Sequence, residues 1–203
     1  VAAHIGAQPI QCDVSDEQSV AVALKNARDV LDGDLDFVIL NAGVGDVGLA
    51  ITEQSTSLLE KVTRINYWGT VHGLKHAPAV MTDGGAIVST SSMAAFINMP
   101  GSSAYSASKK AVVSLTEMSA LELGSRGIRV NCVCPGYTET SMGSGDEGRQ
   151  ICEAFTALGR VATVDDMKGV FYFLVSDASR YLTGQALKVD GGWSCGPTPN
   201  LLS

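Results

Sequence analysis

Tyr105 and Lys109 stand four residues apart, with Ser92 upstream of them. Residues at that spacing share one face of a helix, so the Lys109 ammonium would lie beside the Tyr105 phenol. A neighbouring cation favours the ionised phenol and lowers its reference pKa of about 10 towards neutrality. A three-unit shift corresponds to roughly 4 kcal/mol. Such a phenol can give a proton to a carbonyl being reduced or accept one from an alcohol being oxidised. Ser92, a neutral donor and acceptor, suits the substrate oxygen. The spacing by itself says little: seven Lys and five Tyr produce about one chance match in six chains of this size. An exposed helical pair is the plain alternative, so the decision rests on placement.

The elements that must position the pair alternate between short β-type runs and longer helical patterns, the mark of βα units around a parallel sheet. Pro9 to Cys12, Phe37 to Leu40, Ala86 to Thr90, Arg129 to Val133 and Ala186 to Val189 read as strands. Several are continuous apolar runs, as expected where helices cover both faces. Glu17 to Leu31, Leu58 to Ala77, Ser103 to Gly124 and Asp165 to Val175 read as helices, the first capped by Ser15 and stopped at Gly33. In an open sheet of this kind ligands sit beyond the carboxyl ends of the strands. Small and polar residues gather there: Cys12-Asp13-Val14, Asn41-Ala42-Gly43-Val44-Gly45, Ser89-Thr90-Ser91-Ser92 and Cys134-Pro135-Gly136. The expected fold is α/β, a Rossmann-like doubly wound parallel sheet in one domain over residues 1–203.

With 203 residues, 45% of them hydrophobic, the chain can bury a substantial core. A net charge of -7 without any basic run argues against nucleic acid or an anionic membrane as partner. No segment approaches the roughly 18 apolar residues of a membrane span. Five cysteines without a disulfide-framework spacing favour a reducing, cytoplasmic setting. Cys132 and Cys134 point to one face of a strand and read as buried small apolar side chains, and His72 and His76, four apart, lack an evident third ligand; no metal site is expected. The first residue is Val1, and Val1 to Gly6 carries no secretory pattern. The chain is expected to begin inside a larger product.

In order and spacing these residues resemble the classical short-chain dehydrogenases/reductases from about Asp13 to Trp193. The family's Asn-Ala-Gly matches Asn41-Ala42-Gly43, its helical Asn matches Asn66, and its Ser, Tyr and Lys match Ser92, Tyr105 and Lys109. Its Pro-Gly turn matches Pro135-Gly136, and its late Thr, which contacts the nicotinamide carboxamide, matches Thr140, with Thr138 also approaching that ring. The resemblance implies an oxidoreductase moving a hydride between NAD or NADP and a ketone or secondary alcohol. Tyr105 is then the acid/base, Lys109 lowers its pKa and binds the nicotinamide ribose, Ser92 positions the substrate oxygen, and Asn66 holds a water joining Lys109 to solvent. Asp13 would accept from the adenine amino group while Val14 packs on the ring; the plain reading of Asp13, with Ser15 and Asp16, is a helix cap. A homodimer or homotetramer built partly from the helices Leu58 to Ala77 and Ser103 to Gly124 is also implied.

The family opens with a strand, a glycine-rich loop and a helix facing the cofactor pyrophosphate, followed by a second strand, and this sequence shows none of them. Gly43, Gly45 and Gly48 follow the wrong strand to substitute, and Val1 to Gly6 reads as the tail of a helix. The fold is therefore expected to be N-terminally incomplete, and residues 1–203 alone to bind a dinucleotide poorly with marginal stability. The residue that would separate NAD from NADP belongs to that opening, so the choice stays open. The alternative function is a non-catalytic binding or scaffold fragment of the same family. Thr138 to Gly148 reads as a mobile substrate loop, with Gly143, Gly145 and Gly148 allowing closure. Ala94, Asn98, Met99, Tyr137 and Met142 are the expected pocket walls.

Overall fold

The computed structural model describes residues 5–45, 48–142, 145–198 and 201. Its order is α1 (Glu17–Leu31), β1 (Leu35–Leu40), α2 (Thr56–Val62), a π-helical turn (Thr63–Trp68), α3 (Gly69–His76), β2 (Met81–Thr90), α4 (Ser103–Leu123), β3 (Arg129–Pro135), α5 (Gly145–Phe155), α6 (Val164–Val175) and β4 (Ala186–Val189). The strands form one sheet in the order β1-β2-β3-β4, and every neighbouring pair is parallel. Parallel strands need crossovers, and the helices supply them.

Apolar alternation divides the helices between two faces. Ile87, fully buried, joins Leu35, Val38, Leu74, Ala120 and Val130 in the core under α1, α3 and α4. Its neighbour Val88 points the other way, packing with Val133 and Leu174 beneath α6. Burying a side chain of this size contributes about 1.5–3 kcal/mol. The doubly wound α/β architecture read from the sequence is thus present.

Pro9 to Cys12, expected as a strand, pairs with no strand among the described residues. A strand exists only through its ladder, and an open apolar trough of about 240 Å³ separates Ile10 and Cys12 from Val38, Ile39 and Leu40 of β1. The expected helical tail at Val1 to Gly6 lies partly outside the described residues; Ile5 and Gly6 form a turn. At the start of α1 the cap is Asp16, whose carboxylate accepts from Gln18 N at 3.1 Å, while Ser15 instead donates to Asp13. The helix stops one residue before Gly33, at Asp32, which adopts φ 53°.

The expected loop Thr138 to Gly148 is a second correction. α5 begins at Gly145, so Gly145 and Gly148 are helical, and Gly143 lies outside the described residues. An amphipathic pattern, with Cys152 buried against Met93, Val161 and Trp193, outweighs the low helix propensity of two glycines. The long helix expected from Leu58 to Ala77 is continuous in direction but passes through the π turn Thr63–Trp68.

Candidate active site

At the carboxyl end of β1 the chain turns through Asn41-Ala42-Gly43-Val44, and a buried amide holds this turn. Asn66 Oδ1 accepts from Val44 N at 2.8 Å, and its Nδ2 donates to Val44 O at 2.9 Å. The second Nδ2 proton goes to Ser108 Oγ at 3.1 Å, and that hydroxyl donates to Tyr105 O at 2.7 Å. Asn66 is 1% exposed, so an amide with unmet donors would be costly here. The π turn supplies the position: an inserted residue in a helix re-aims a side chain and recurs at functional sites. Both amide protons of Asn66 are therefore spent on protein partners, so a water on this amide would have to use Oδ1.

Tyr105 and Lys109 lie on α4, one turn apart, with Lys109 Nζ 5.6 Å from the centre of the Tyr105 ring. Lys109 is 4% exposed and donates to Thr90 O at 2.9 Å. Burial pushes its pKa down to about 8. A Cβ on residue 43 would stand 3.2 Å from Nζ and 3.4 Å from Asn66 Oδ1, so glycine there lets the ammonium reach the β1 end. Ser91 ties the strand end to the helix, its hydroxyl donating to Lys109 O at 2.7 Å. Ser92, next in the chain and buried, accepts from Ala94 N at 3.1 Å and keeps its own proton to donate.

Beyond β3, Gly136 N donates to Val189 O at 2.9 Å, and a side chain at 136 would meet the Asp190 backbone at 2.8 Å. Thr138 Oγ1 donates to Gly136 O at 3.2 Å, and its backbone bridges to Ala162. Thr140 Oγ1 accepts from Met142 N at 3.3 Å, and Met142 reaches to 3.8 Å from where a side chain on Gly45 would begin. The segment after Pro135 thus lies across the β1 end. Ala94 is buried in the turn after Ser92, Tyr137 packs on the Met93 cluster, and Asn98 and Met99 are exposed.

The remaining candidates sit at the edge. Val14 packs against α3, where a Cβ on Gly69 would meet it at 3.0 Å, and its carbonyl accepts from His72 Nδ1 at 3.1 Å. With Asn41 and Ala42, Val14 lines the trough. The Asp13 carboxylate accepts from Ser15 N and Oγ, which holds its pKa below the usual value, and so closes the turn just ahead of the Asp16 cap. His76 contacts Glu17 at 2.9 Å, so the two histidines serve separate helix contacts. Cys132 and Cys134 are buried on one face with sulfurs 3.9 Å apart; the hydrogen bond shared with Cys134, and then burial, push the Cys132 thiol pKa up.

The spacing of Tyr105 and Lys109 did not point to Ser108, Ser91 or the Thr90 carbonyl. Ser108 was readable in principle, as a hydroxyl one residue before the lysine on a helix whose facing partner carries Asn66.

Comparison with known proteins places this geometry. The family described as enoyl-(acyl carrier protein) reductase matches residues 1–194. The mitochondrial borneol dehydrogenase of Lavandula x intermedia is 38% identical over 194 residues, covering 94% of this chain and 74% of the relative. A short-chain type dehydrogenase/reductase from Mycobacterium marinum superposes with a TM-score of 0.89 at 33% identity, over 96% of this chain and 79% of that one. ElxO with NADP bound superposes with a TM-score of 0.86 at 30% identity, over 95% and 80%. A match that runs through nearly the whole chain, in sequence and in the superposed sheet alike, leaves one assignment: the chain belongs to the short-chain dehydrogenase/reductase family.

Proposed function

We propose that the chain is an NAD(P)-dependent oxidoreductase acting on CH-OH and C=O groups, a carbonyl reductase in the reducing direction, with Tyr105 as acid/base. The observation that carries this reading is the buried Lys109, held by Thr90 O one helical turn from the Tyr105 ring. An ammonium sealed beside a half-buried phenol favours the phenolate, which accepts the proton of an alcohol and returns it to a ketone. Ser92 Oγ, at the strand end tied to α4 through Ser91, donates to the substrate oxygen and orients it. Asn66 and Ser108 hold the Gly43-Val44 turn against that centre.

The β1 end fits the nicotinamide half of the cofactor. Gly43 leaves room for Lys109 Nζ to approach a ribose, and Asn41, Ala42, Pro135, Gly136, Thr138 and Thr140 line the strand ends above it. Val14, which lines the trough, and its neighbour Asp13 are assigned to the adenine. When bound, the cofactor supplies or accepts the hydride. The borneol dehydrogenase and NADP-bound ElxO relatives support an alcohol substrate and a nicotinamide cofactor. Family and cysteine usage also support a cytoplasmic homodimer or homotetramer, with residues 1–203 as one domain.

Replacing Tyr105 by Phe is expected to reduce turnover by about 10²–10⁴-fold with an unchanged circular dichroism spectrum. Activity retained at the wild-type rate would remove Tyr105 from the role. One observation favours a second reading, a non-catalytic binding fragment: Gly43, Gly45 and Gly48 follow β1 while α2 opens only at Thr56, so they form no glycine-rich cradle at a helix N-terminus for a pyrophosphate. Cofactor titration followed by fluorescence separates the two, since the fragment would bind none.

A further inference from the structure

We infer that the substrate, resting on the Tyr105 reading above, is an uncharged and largely apolar ring alcohol or ketone taken free from solution, not a carboxylate and not an ester on an acidic carrier protein.

The walls beside Ser92 and Tyr105 carry the inference. From Ser91 to Ser108 the chain has no Asp, Glu, Lys, Arg or His. Directly after Ser92, Met93 is buried with Cys152, Val161 and Trp193, and Ile97 and Tyr137 pack against that group. Phe155 stacks on Trp193 at 5.3 Å, extending the apolar surface. On the other side, Gln54 pins the segment bearing Leu49 and Ile51 to the first turn of α4: its Nε2 donates to Leu49 O at 2.7 Å, and its Oε1 accepts from Ser103 Oγ at 2.9 Å. Leu49, Ile51, Phe96, Met99 and Met142 are all at least 40% exposed around this rim, a concentration that marks a contact surface.

An anionic substrate would need a cation here, and the cations are already engaged. Between Gly136 and Val175 the basic residues are Arg149, Arg160 and Lys168. Arg149 is paired with Glu139 and Glu153, Arg160 with both oxygens of Asp166, and Lys168 with Asp165. Lys188 lies 4.6 Å over the Phe96 ring. Lys109 is buried and hydrogen-bonded at Thr90. A carboxylate or phosphate against these walls would lose water without gaining a partner, whereas an apolar ring gains by leaving water.

Two measurements on the purified protein test this. Turnover is compared for borneol and cis-4-hydroxycyclohexanecarboxylate with oxidised NAD and NADP, and for a 3-oxoacyl ester of acyl carrier protein with NADH and NADPH. Borneol should exceed the carboxylate in kcat/KM by about tenfold or more, with the carrier ester inert. Calorimetry with the ketones reads the walls independently of chemistry: camphor should bind about tenfold more tightly than 4-oxocyclohexanecarboxylate. Equal or reversed preference in either measurement overturns the inference. Tight camphor binding with no turnover of any alcohol, in protein that fluorescence titration shows to bind the cofactor, would uphold it and refute the Tyr105 reading instead.

Discussion

Lys109 has a pKa pushed down to about 8 because burial opposes its charge. The ammonium therefore predominates at neutral pH and is lost as pH rises through about 8. In the direction of ketone reduction, kcat/KM is expected to hold level below that value and to fall above it. A profile flat to about pH 10 would show that the charge is not needed. For stability the sign is opposite. A lysine depressed in the folded state costs folding energy while charged, and the cost disappears between about 8 and its ordinary 10.5. Stability contributed by this site thus rises across that window, and a Lys109→Met variant should lack the rise in pH-dependent urea melts. Ser108 acts by a different route. Ser108→Ala would leave an Asn66 amide proton without a partner in a buried site, at a cost of about 1–3 kcal/mol. A thermal midpoint identical to the wild type would show that the hydroxyl does not hold Asn66.

α3 lies so close to β1 that glycine is required between them. A Cβ on Gly73 would run into both methyls of Leu40, so Gly73→Ala must push α3 outward or turn Leu40 from its place. Overpacking of this kind costs about 1–3 kcal/mol, and a urea midpoint unchanged in the variant would place the helix farther from the strand. α1, β4 and the start of α4 were legible because short apolar runs and a period of 3.6 are local signals, although the cap of α1 proved to be Asp16 and not Ser15. α5 was not, because its glycines read as a loop until Cys152 found a buried partner in the Met93 cluster. The turn at Asn66 was also hidden, since a π insertion leaves no mark in residue type.

Across the molecule, stability is graded from the middle of the sheet outward. β2 and β3 pair on both edges and bury Ile87, Val88, Val130 and Val133 completely, whereas β1 is an edge strand with Phe37 49% and Ile39 40% exposed. Hydrogen exchange is expected to be slowest in residues 87–90 and 130–133 and fastest across Ile10 to Cys12, which borders the trough. Protection of Ile10 to Cys12 equal to that of β2 would mean that a ladder forms there in solution. The outer faces also leave Met118 53%, Leu121 80% and Trp68 47% exposed, on or beside the helices expected to join subunits. Solution scattering should return at least twice the monomer mass; a monomer would oppose the proposed assembly.

The sequence by itself determined the fold class, because apolar period is written residue by residue, and it set Tyr105 and Lys109 one helical turn apart downstream of Ser92. It also showed the absence of charge from Ser91 to Ser108. Only the tertiary structure decided that Pro9 to Cys12 is not a strand, since a ladder needs a partner brought from elsewhere in the chain. It alone placed Ser108 between Asn66 and Tyr105, and showed that the cations flanking the apolar wall are engaged. Burial, which pushes Lys109 towards neutrality, is likewise a property of the packed molecule: no residue type carries its own dielectric surroundings.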